Sequence, residues 1–517
     1  MSRPRRACVL LFVLSMLSAA CAGSATAQEP SSAGVLRVGA PFFSSLPDPV
    51  AGGGFNALQF GLVETLMRLD PDLAPEPWLA EDIRARSDSV WAITLREGVT
   101  FHDGSAVDAE AVKASLQRAI AESEAASALL DVADITVEDP LTLVVTTATP
   151  SPNFPGLLTD PSTAIVSAAA ARAQGDAFAS KPVATGMFTV EEFELDNRLV
   201  AVRYEGYWGE QPKTERLEVN VQADASARFL ALQSGQIDLA FDISPESVTQ
   251  IEGDPTLRAV AAASVSTMFI YLNQTKEPWD DLRVRQALAQ AAPSGEALVR
   301  SVFRGQAEAA VGNLPPAVLD CPEISKPYVN DPEAAQRLLS EAGYEDRDGD
   351  GVLERDGQPL TLIMLSYPQR PALTPMAEII QASLQPIGVQ VEIQSVEDIN
   401  GALATEPWDG AMYFNNMAAT GDPFGSLSQF FATGGDANRG GYTNPSVDAS
   451  IERLRALSAR AERRALACEI DQQLLEDVAI IPLVYPRYVY GVSAGVTGFE
   501  DPHPYFLYFM NSEIARG

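Results

Sequence analysis

The chain has 517 residues, of which 36 are basic, 69 are acidic and two are histidines, so its formal net charge at neutral pH is −33. A chain of this length exceeds what one hydrophobic core usually serves, which predicts two or three domains. The acidic excess excludes a nucleic-acid-binding protein, because clustered lysines and arginines are needed to displace the counterions of a polyanion. The charge is typical of a protein kept soluble in an oxidising or salty compartment; attraction of cationic ligands is the alternative.

The N-terminus has the pattern of an export signal. Three arginines at positions 3, 5 and 6 precede an apolar stretch of eleven residues, Ala7 to Leu17, and Ala25-Thr26-Ala27 forms an A-x-A site that predicts cleavage after Ala27. Lipidation at Cys21 is the alternative, since Leu17 to Cys21 is similar to a loose lipobox. The apolar stretch is shorter than the ~20 residues that span a bilayer. We therefore predict a periplasmic protein without a transmembrane helix.

A dense series of structural signals follows from Glu64 to Gly104. Apolar residues across 60–67 predict a helix face, and Trp78, after three prolines, predicts a short second helix. The alternation from Val90 to Leu95 predicts a strand, and Asp108 predicts the N-cap of the helix after it.

Helix and strand also alternate in the second half. Residues 360–365 predict a strand, Thr374 and Pro375 predict the start of a helix, and residues 389–393 predict the next strand. A strand, helix and strand in this order form a right-handed crossover in a parallel sheet. Asp331, followed by a proline, starts another helix in the same style. The fold class is therefore α/β.

The order of these pieces resembles a known family, the family 5 extracellular solute-binding proteins, which are the peptide and nickel receptors of ABC importers. The resemblance rests on an ordered set of segments that covers nearly all of the chain after the leader. They are the block from Glu64 to Gly104, the turn Ala184 to Phe188, the YEGYWG segment Tyr204 to Gly209, the helix Ala227 to Asp238, and residues 331–343 and 376–388.

This resemblance implies a two-lobe periplasmic binding-protein fold with an extra inserted domain. The implied bounds are 28–71, 183–271 and 485–517 for lobe I, 72–182 for the inserted domain and 272–484 for lobe II. Strands at 268–273 and 482–490 would form the hinge. The resemblance also implies a monomer that closes on a small solute and is then recognised by an ABC permease in the inner membrane.

Two cysteines, Cys321 and Cys468, lie outside the leader. In an oxidising compartment an even pair predicts a disulfide, and the resemblance supports this, because some peptide-binding members carry one bridge at comparable places. Two buried free thiols are the alternative. Two cysteines with only His102 and His503 do not favour zinc. We expect no metal site and no cofactor.

The family places much of its ligand contact in the segment Trp408 to Gly425. Asp422 is predicted to be a structural cap for the helix that begins at Pro423. Peptide binders carry an aspartate for the peptide ammonium three residues earlier, where this chain has Ala419. Another acid therefore supplies the charge, or the ligand is not an ordinary free-amine peptide.

The nickel binders are the second likeness. Their pocket histidine has no counterpart between Phe430 and Tyr442, and their pocket tryptophan and tyrosine correspond to Met417 and Gly421. A nickel chelate held by a protein histidine is therefore not expected, whereas a metallophore would bring its own ligands.

Aromatic residues at 42, 43, 408, 413, 414 and 424 suit a mostly apolar cleft, with core packing as the alternative. The amides of Asn415 and Asn416 offer donors and acceptors to a peptide backbone, and Arg439 suits an anionic group, with surface packing as its alternative. The predicted ligand contacts are Phe43, Trp408, Tyr413, Asn415, Asn416, Met417, Thr420 and Arg439.

Two motifs are set aside. Residues 491–495 match G-x-S-x-G, but too little chain follows for the acid and histidine of that hydrolase fold. Residues 346–351 begin like a calcium loop, yet position twelve is Gly357 where a bidentate glutamate is required, so an acidic turn is favoured. The resemblance therefore implies the component of an ABC importer that binds peptides or peptide-like solutes; nickel or a metal chelate is the alternative ligand, and a secreted enzyme is disfavoured.

Overall fold

The computed structural model describes residues 34–43, 45–52, 54–417 and 420–517. The predicted cleavage site at Ala27, the alternative lipidation site at Cys21 and the substituted position Ala419 lie outside these residues. The described chain forms three principal sheets of seven, six and four strands, with three two-stranded ribbons beside them. The mixed α/β class is confirmed.

The first sheet collects strands from three separated parts of the sequence. Its central strand, Val35–Ala40, runs parallel to Arg216–Val221 on one side and to Leu239–Ala240 on the other. The sheet buries an apolar core built largely of valine, leucine and phenylalanine. In spatial order the strands are Leu257–Ala262, Tyr488–Ser493, Leu239–Ala240, Val35–Ala40, Arg216–Val221, Arg198–Arg203 and Phe188–Glu194.

The second sheet has six strands and the largest core. Every residue of Ser266–Leu272 and of Ile481–Pro486 is buried, as expected for central strands covered on both faces. The strand Thr361–Ser366 is parallel to Gln390–Ser395, and the helix Leu373–Leu384 connects them, which is the predicted crossover. In spatial order the strands are Ala307–Ala309, Ile481–Pro486, Ser266–Leu272, Gly410–Asn416, Thr361–Ser366 and Gln390–Ser395.

The chain passes twice between these sheets, at Ala263–Val265 and at Arg487. The two passages are joined by a hydrogen bond from the Ser264 hydroxyl to the carbonyl of Pro486. The boundaries expected at 271/272 and 484/485 therefore fall inside strands of the second sheet. Of the two predicted hinge strands, 482–490 contains the passage at Arg487, whereas 268–273 begins after the passage at Ala263–Val265 has ended.

The third sheet is antiparallel and lies in the region expected for the inserted domain. Its strands, in spatial order, are Ala80–Ser87, Val90–Leu95, Thr142–Thr147 and Val132–Asp139. The helix predicted over 60–67 is wrong: Phe55–Gln59 is helical, Gly61 adopts a φ of +68° that ends it, and Met67–Leu69 is a strand. Trp78 is not helical either. It lies between the strands Pro75–Pro77 and Ala80–Ser87, and its backbone amide donates to the carbonyl of Leu66.

The helix starts predicted from capping residues are observed, with one exception. Asp108 and Asp331 cap their helices as predicted, each accepting a hydrogen bond from the third residue after it. The helix expected to start at Thr374 begins at Leu373 and has no side-chain cap. Within the described chain, no helix combines the length and apolar character needed to cross a lipid bilayer. The longer helices are Ala109–Glu122, Ala225–Gln233, Leu282–Ala291, Pro332–Glu341, Leu373–Leu384, Pro423–Phe431, Pro445–Ala456 and Arg460–Glu476.

Candidate functional site

The carboxyl ends of parallel strands from both sheets meet at one place. Phe42 follows the strand Val35–Ala40, Asp242 follows Leu239–Ala240, and Arg370 lies between Thr361–Ser366 and the next helix. Ligands of α/β proteins bind outside the carboxyl ends of parallel strands, where loops from several strands converge. We call this meeting point the inter-sheet site; it comprises Phe42, Asp242, Arg370, Phe414 and Tyr488.

An ion pair connects the two sheets at the centre of this site. Arg370 donates from Nη1 to Oδ2 of Asp242, and the side chains are 11% and 22% exposed. The guanidinium carbon lies 3.8 Å from the ring centre of Phe414 and 5.7 Å from that of Phe42. A cation between two aromatic faces is held by their quadrupoles as well as by its carboxylate. Arg370 therefore contacts groups that belong to both sheets.

The backbone holds Asp242 in a defined position. Its φ is +48°, in the left-handed region that aspartate and asparagine tolerate better than most residues. Arg228, which is fully buried, donates from Nε to the carbonyl of Phe241 at 3.0 Å and from Nη2 to that of Asp242 at 2.9 Å. Burial lowers the pKa of the Arg228 guanidinium. The carboxylate is thus presented by a turn that is fixed from behind.

Two small cavities flank the ion pair. Their volumes are about 20 Å³ and about 50 Å³, and both are lined by Asp242, Arg370 and Tyr488. A buried water needs at least roughly 10–15 Å³, so these spaces accept one or a few waters and no amino acid. The structure is therefore closed at this point, with the charged side chains of the protein filling the space between the sheets.

A hydrogen-bonded cluster ties the site to the first passage between the sheets. The hydroxyls of Ser266 and Tyr488 lie 2.6 Å apart, and each bonds to Oδ1 of Asn416, at 2.6 and 2.8 Å. Burial raises the pKa of the Tyr488 phenol, which keeps it a neutral hydroxyl. Asn416, a predicted ligand contact, thus uses its amide oxygen within the protein, two residues along the chain from Phe414 and the ion pair.

Three of the other predicted contacts lie in the protein core. Phe43 is fully buried against Phe60 and Phe193, and its neighbour Phe42 faces the inter-sheet site instead, because successive side chains of an extended segment point to opposite sides. Met417 is fully buried, and Trp408 is buried with its indole N–H bonded to the carbonyl of Leu403.

The remaining predicted contacts do not line the inter-sheet site. Tyr413 donates its hydroxyl to Asn400, and Asn415 accepts from the following backbone amide. Arg439 is exposed on a loop that the Tyr271 hydroxyl joins at Ala437. Thr420 is buried, and its hydroxyl has no hydrogen-bond partner among the described residues.

Sequence reasoning missed the two charged residues at the centre. Arg370 stands in a Y-P-Q-R-P segment directly after a predicted strand, and Asp242 follows a short apolar strand in the same way. A charged side chain at the carboxyl end of a buried strand was the available signal. The family resemblance pointed to the segments 408–425 and 430–442, and the strand ends before Asp242 and Arg370 carry no motif of their own.

A much larger cavity lies beside the disulfide. It has a volume of about 1160 Å³, and its walls come from residues 316–324, 421–423 and 460–472. The disulfide between Cys321 and Cys468 is confirmed and forms part of this wall. Asp422 caps the helix Pro423–Phe431 and also pairs with Arg463 at 2.6 Å; their side chains are 14% and 8% exposed. We call this space the disulfide cavity.

Neither histidine lies in the inter-sheet site. His102 bonds through its ring to Gly186 and Ala184, His503 packs against Tyr508, and burial lowers the pKa of both imidazoles. The exposed aspartates 346, 348 and 350 lie close together; Asp346 accepts from the amide of Gly349 and Asp350 from that of Val352. These bonds are those of an acidic turn.

Comparisons with known proteins agree with this architecture. The model of the family described as "Bacterial extracellular solute-binding proteins, family 5 Middle" matches residues 74–438. The glutathione-binding protein GsiB of Salmonella paratyphi A is 28% identical over 480 residues, which cover 90% of this chain and 91% of that protein. The similarity to a solute-binding protein thus extends over nearly the whole length of both chains.

Solved structures show the same fold. The nickel ABC transporter protein from Bacillus halodurans is 28% identical, with a TM-score of 0.70 over 93% of this chain and 99% of that one. The oligopeptide-binding protein AppA from Bacillus subtilis, solved with a nonapeptide, is 21% identical, with a TM-score of 0.81 over 93% and 99%. The two-lobe binding-protein fold is thereby confirmed.

Proposed function

This chain belongs to the family 5 bacterial extracellular solute-binding proteins, and on that premise we propose that it captures a peptide or peptide-like solute and delivers it to an ABC permease. The observation that carries the proposal is the inter-sheet site, where a guanidinium that contacts two aromatic rings meets a carboxylate from the other sheet. The sequence similarity to glutathione-binding proteins supports a short peptide as the ligand.

Capture follows from the way the chain connects its sheets. Rotation at Ala263–Val265 and Arg487 would separate Asp242 from Arg370 and open the space between them. A solute that contacts both sides is bound better by the closed state than by the open state, and it shifts the population towards closure. Arg370 is suited to bind a solute carboxylate, because its planar fork matches the two oxygens.

The domain bounds that we propose are adjusted to these passages. Lobe I would hold the first sheet, lobe II would run from Ser266 to Pro486, and the inserted domain would hold the third sheet. We further propose that the protein acts as a monomer, binds no nucleic acid and catalyses no reaction. The serine of the G-x-S-x-G match, Ser493, lies at the end of a strand with its hydroxyl bonded to Arg516, which does not suit a nucleophile.

Family 5 binding proteins work in the periplasm, and we propose the same place for this chain. The N-terminal pattern supports export with cleavage after Ala27, and lipidation at Cys21 is the alternative. The mass of the mature protein distinguishes the two, because acylation adds the mass of the lipid and moves the N-terminus to Cys21.

A nickel or metal chelate is the second candidate ligand, because a nickel-transport protein is among the structural relatives at 28% identity. The two histidines of the chain lie away from the inter-sheet site and are engaged with other groups. A chelate would therefore have to supply its own metal ligands, with its carboxylates held by Arg370.

The test is native mass spectrometry of the protein purified from the periplasm, followed by mild unfolding to release what it retained. Peptide masses are the expected result. A metal-containing mass would contradict the peptide proposal and support the metal chelate. A single organic mass that is neither a peptide nor a chelate would overturn both. Arg370→Ala, purified in parallel, is expected to retain none of the wild-type ligand; retention of the same mass by this variant would place the ligand elsewhere.

A further inference from the structure

We propose that Asp242 is the acceptor for the cationic end of the solute, so that the inter-sheet site selects zwitterions. Arg370 binds the carboxylate of the solute and Asp242 binds its ammonium group. This inference rests on the proposed function and narrows its ligand class. In this structure the two side chains satisfy each other; in the complex each would exchange its partner for the opposite charge on the solute.

The charge balance of the ion pair favours a zwitterionic solute. Asp242 and Arg370 together have no net charge, and both are largely withdrawn from water. A solute with only a carboxylate would take Arg370 and leave Asp242 without its partner, whereas a solute with only an ammonium would strand Arg370. Leaving one member of a buried pair uncompensated is strongly unfavourable. A zwitterion satisfies both groups at once.

The composition of the site carries the second step. Among the described residues that line the two flanking cavities, the charged ones are Asp242, Arg370 and Arg487. Arg487 is 43% exposed and pairs with Glu308 at 3.3 Å. Asp242 is thus the one carboxylate in the described part of these linings. An ammonium group that enters beside Arg370 has no other anionic partner among them.

Pre-organisation carries the third step. The turn at Asp242 is held by the buried Arg228 through two backbone carbonyls, so opening of the lobes leaves the carboxylate in place. An acceptor that is already fixed loses little conformational entropy when a ligand binds to it.

The same geometry makes the ion pair an internal competitor. An extended tripeptide spans roughly 10 Å, and the cavities beside the pair hold only about 20 and 50 Å³. The solute must therefore separate the pair before the lobes close on it. The apparent affinity falls by the fraction of protein in the closed, self-paired state. Removing the carboxylate should consequently help a ligand that lacks an ammonium group.

The experiment compares Asp242→Asn with wild type by titration calorimetry. The probes are trialanine, N-acetyl-trialanine and glutathione. Asparagine is chosen because it is close in shape and tolerates the left-handed φ. Glu138→Gln is the matched control: it removes a carboxylate from an exposed pair with Arg86 on the third sheet. Circular dichroism melting verifies that each variant folds.

The expected result has opposite signs for the two kinds of probe. Asp242→Asn should weaken binding of trialanine and glutathione by at least roughly tenfold and strengthen binding of N-acetyl-trialanine. Glu138→Gln should change neither. Equal changes for free and acetylated probes, or no change, would overturn the inference while the proposed function stands. Failure of wild type to bind any probe would contradict the proposed peptide class and with it this inference.

Discussion

The inter-sheet site and the disulfide cavity differ in an unexpected direction. The disulfide cavity is more than ten times larger, yet its walls all come from residues 316–472. The inter-sheet site has almost no free volume, but its side chains belong to both sheets. In the mechanism proposed above, closure brings side chains of the two sheets together at this point and leaves little space between them. To locate a ligand site in such a protein, the sheets that contribute its side chains are therefore a better guide than the volume of the cavity.

Each region also contains a largely buried ion pair, and the two pairs serve different ends. Asp422 and Arg463 both lie in the wall of the disulfide cavity, and Asp422 also caps a helix, so this pair stabilises the local fold. Asp242 and Arg370 follow strands of different sheets, so the lobe opening proposed above would break this pair. A pair that breaks in that motion is suited to exchange partners with a ligand.

The largest effect is expected for Arg370→Ala. Loss of the guanidinium removes the anchor for the solute carboxylate and leaves that carboxylate without a cation in the complex, so affinity for the native ligand should fall about a thousandfold, or roughly 4 kcal/mol. Calorimetric titration with the ligand released from the wild-type protein measures this directly.

The control for this prediction lies in the other region. Arg464 lines the disulfide cavity, where it pairs with Asp320 at 2.8 Å. Arg464→Ala should leave the affinity within about twofold of wild type, since exposed ion pairs contribute little. If Arg464→Ala abolished binding and Arg370→Ala did not, the assignment of the two regions would have to be exchanged.

The second prediction separates stability from binding. Replacing both Cys321 and Cys468 by serine opens a loop closed over a sequence separation of 147 residues. The free energy of unfolding should fall by about 3 kcal/mol, because the unfolded chain regains the entropy that the bridge had removed. Ligand affinity should not change, since the bridge lies outside the inter-sheet site. Denaturant titration and calorimetry test the two statements, and a parallel loss of affinity would contradict the second.

The same contrast explains what the sequence could predict. Some features were recognisable because each depends on a local pattern or on a pair of cysteines. They are the capping aspartates at 108 and 331, the crossover around the helix Leu373–Leu384, and the disulfide. The inter-sheet site was not recognisable in this way, because Asp242 and Arg370 are 128 residues apart and meet only through the pairing of strands within two different sheets.

The positions of two predicted ligand contacts beside the inter-sheet site have a similar cause. Phe43 and Asn416 were predicted as ligand contacts, whereas Phe42 faces the site and Asn416 bonds to Tyr488 beside it. These two residues lie one and two positions from Phe42 and Phe414 of the inter-sheet site. The side on which a residue projects depends on where a strand ends, and strand ends are the part of a secondary structure that local pattern defines least well.

The third prediction concerns a buried carboxylate that, unlike Asp242, is held by neutral donors. Glu64 is buried and accepts from the hydroxyl of Tyr207 at 2.8 Å and from the indole N–H of Trp208 at 2.9 Å. Burial raises the pKa of Glu64 from 4.5 to about 7. The folded state therefore holds this proton more tightly than the unfolded chain, and the protein should lose stability as the pH rises from about 4.5 to about 7.

Glu64→Gln isolates this contribution. Glutamine keeps the shape and carries no charge, so the variant should gain roughly 1–2 kcal/mol over wild type at pH 7.5 and almost nothing at pH 4.5. Denaturant titrations at both pH values give the difference. An advantage that is the same at both pH values would show that the effect is packing rather than ionisation.

The smallest effect is expected for Arg455→Ala, which completes the comparison. Like Arg370, Arg455 bridges two parts of the protein: it lies on the helix Pro445–Ala456, and its guanidinium is 3.7 Å from Asp131 and 3.3 Å from the hydroxyl of Thr149, beside the third sheet. Unlike Arg370, it is 39% exposed, so water screens the pair and replaces its contacts when it opens. Affinity and the free energy of unfolding should each change by less than about 0.5 kcal/mol. Suppose instead that Arg455→Ala weakened binding as much as Arg370→Ala. Any cation that bridges two parts of the protein would then affect binding, and burial from water would not be what distinguishes the inter-sheet site.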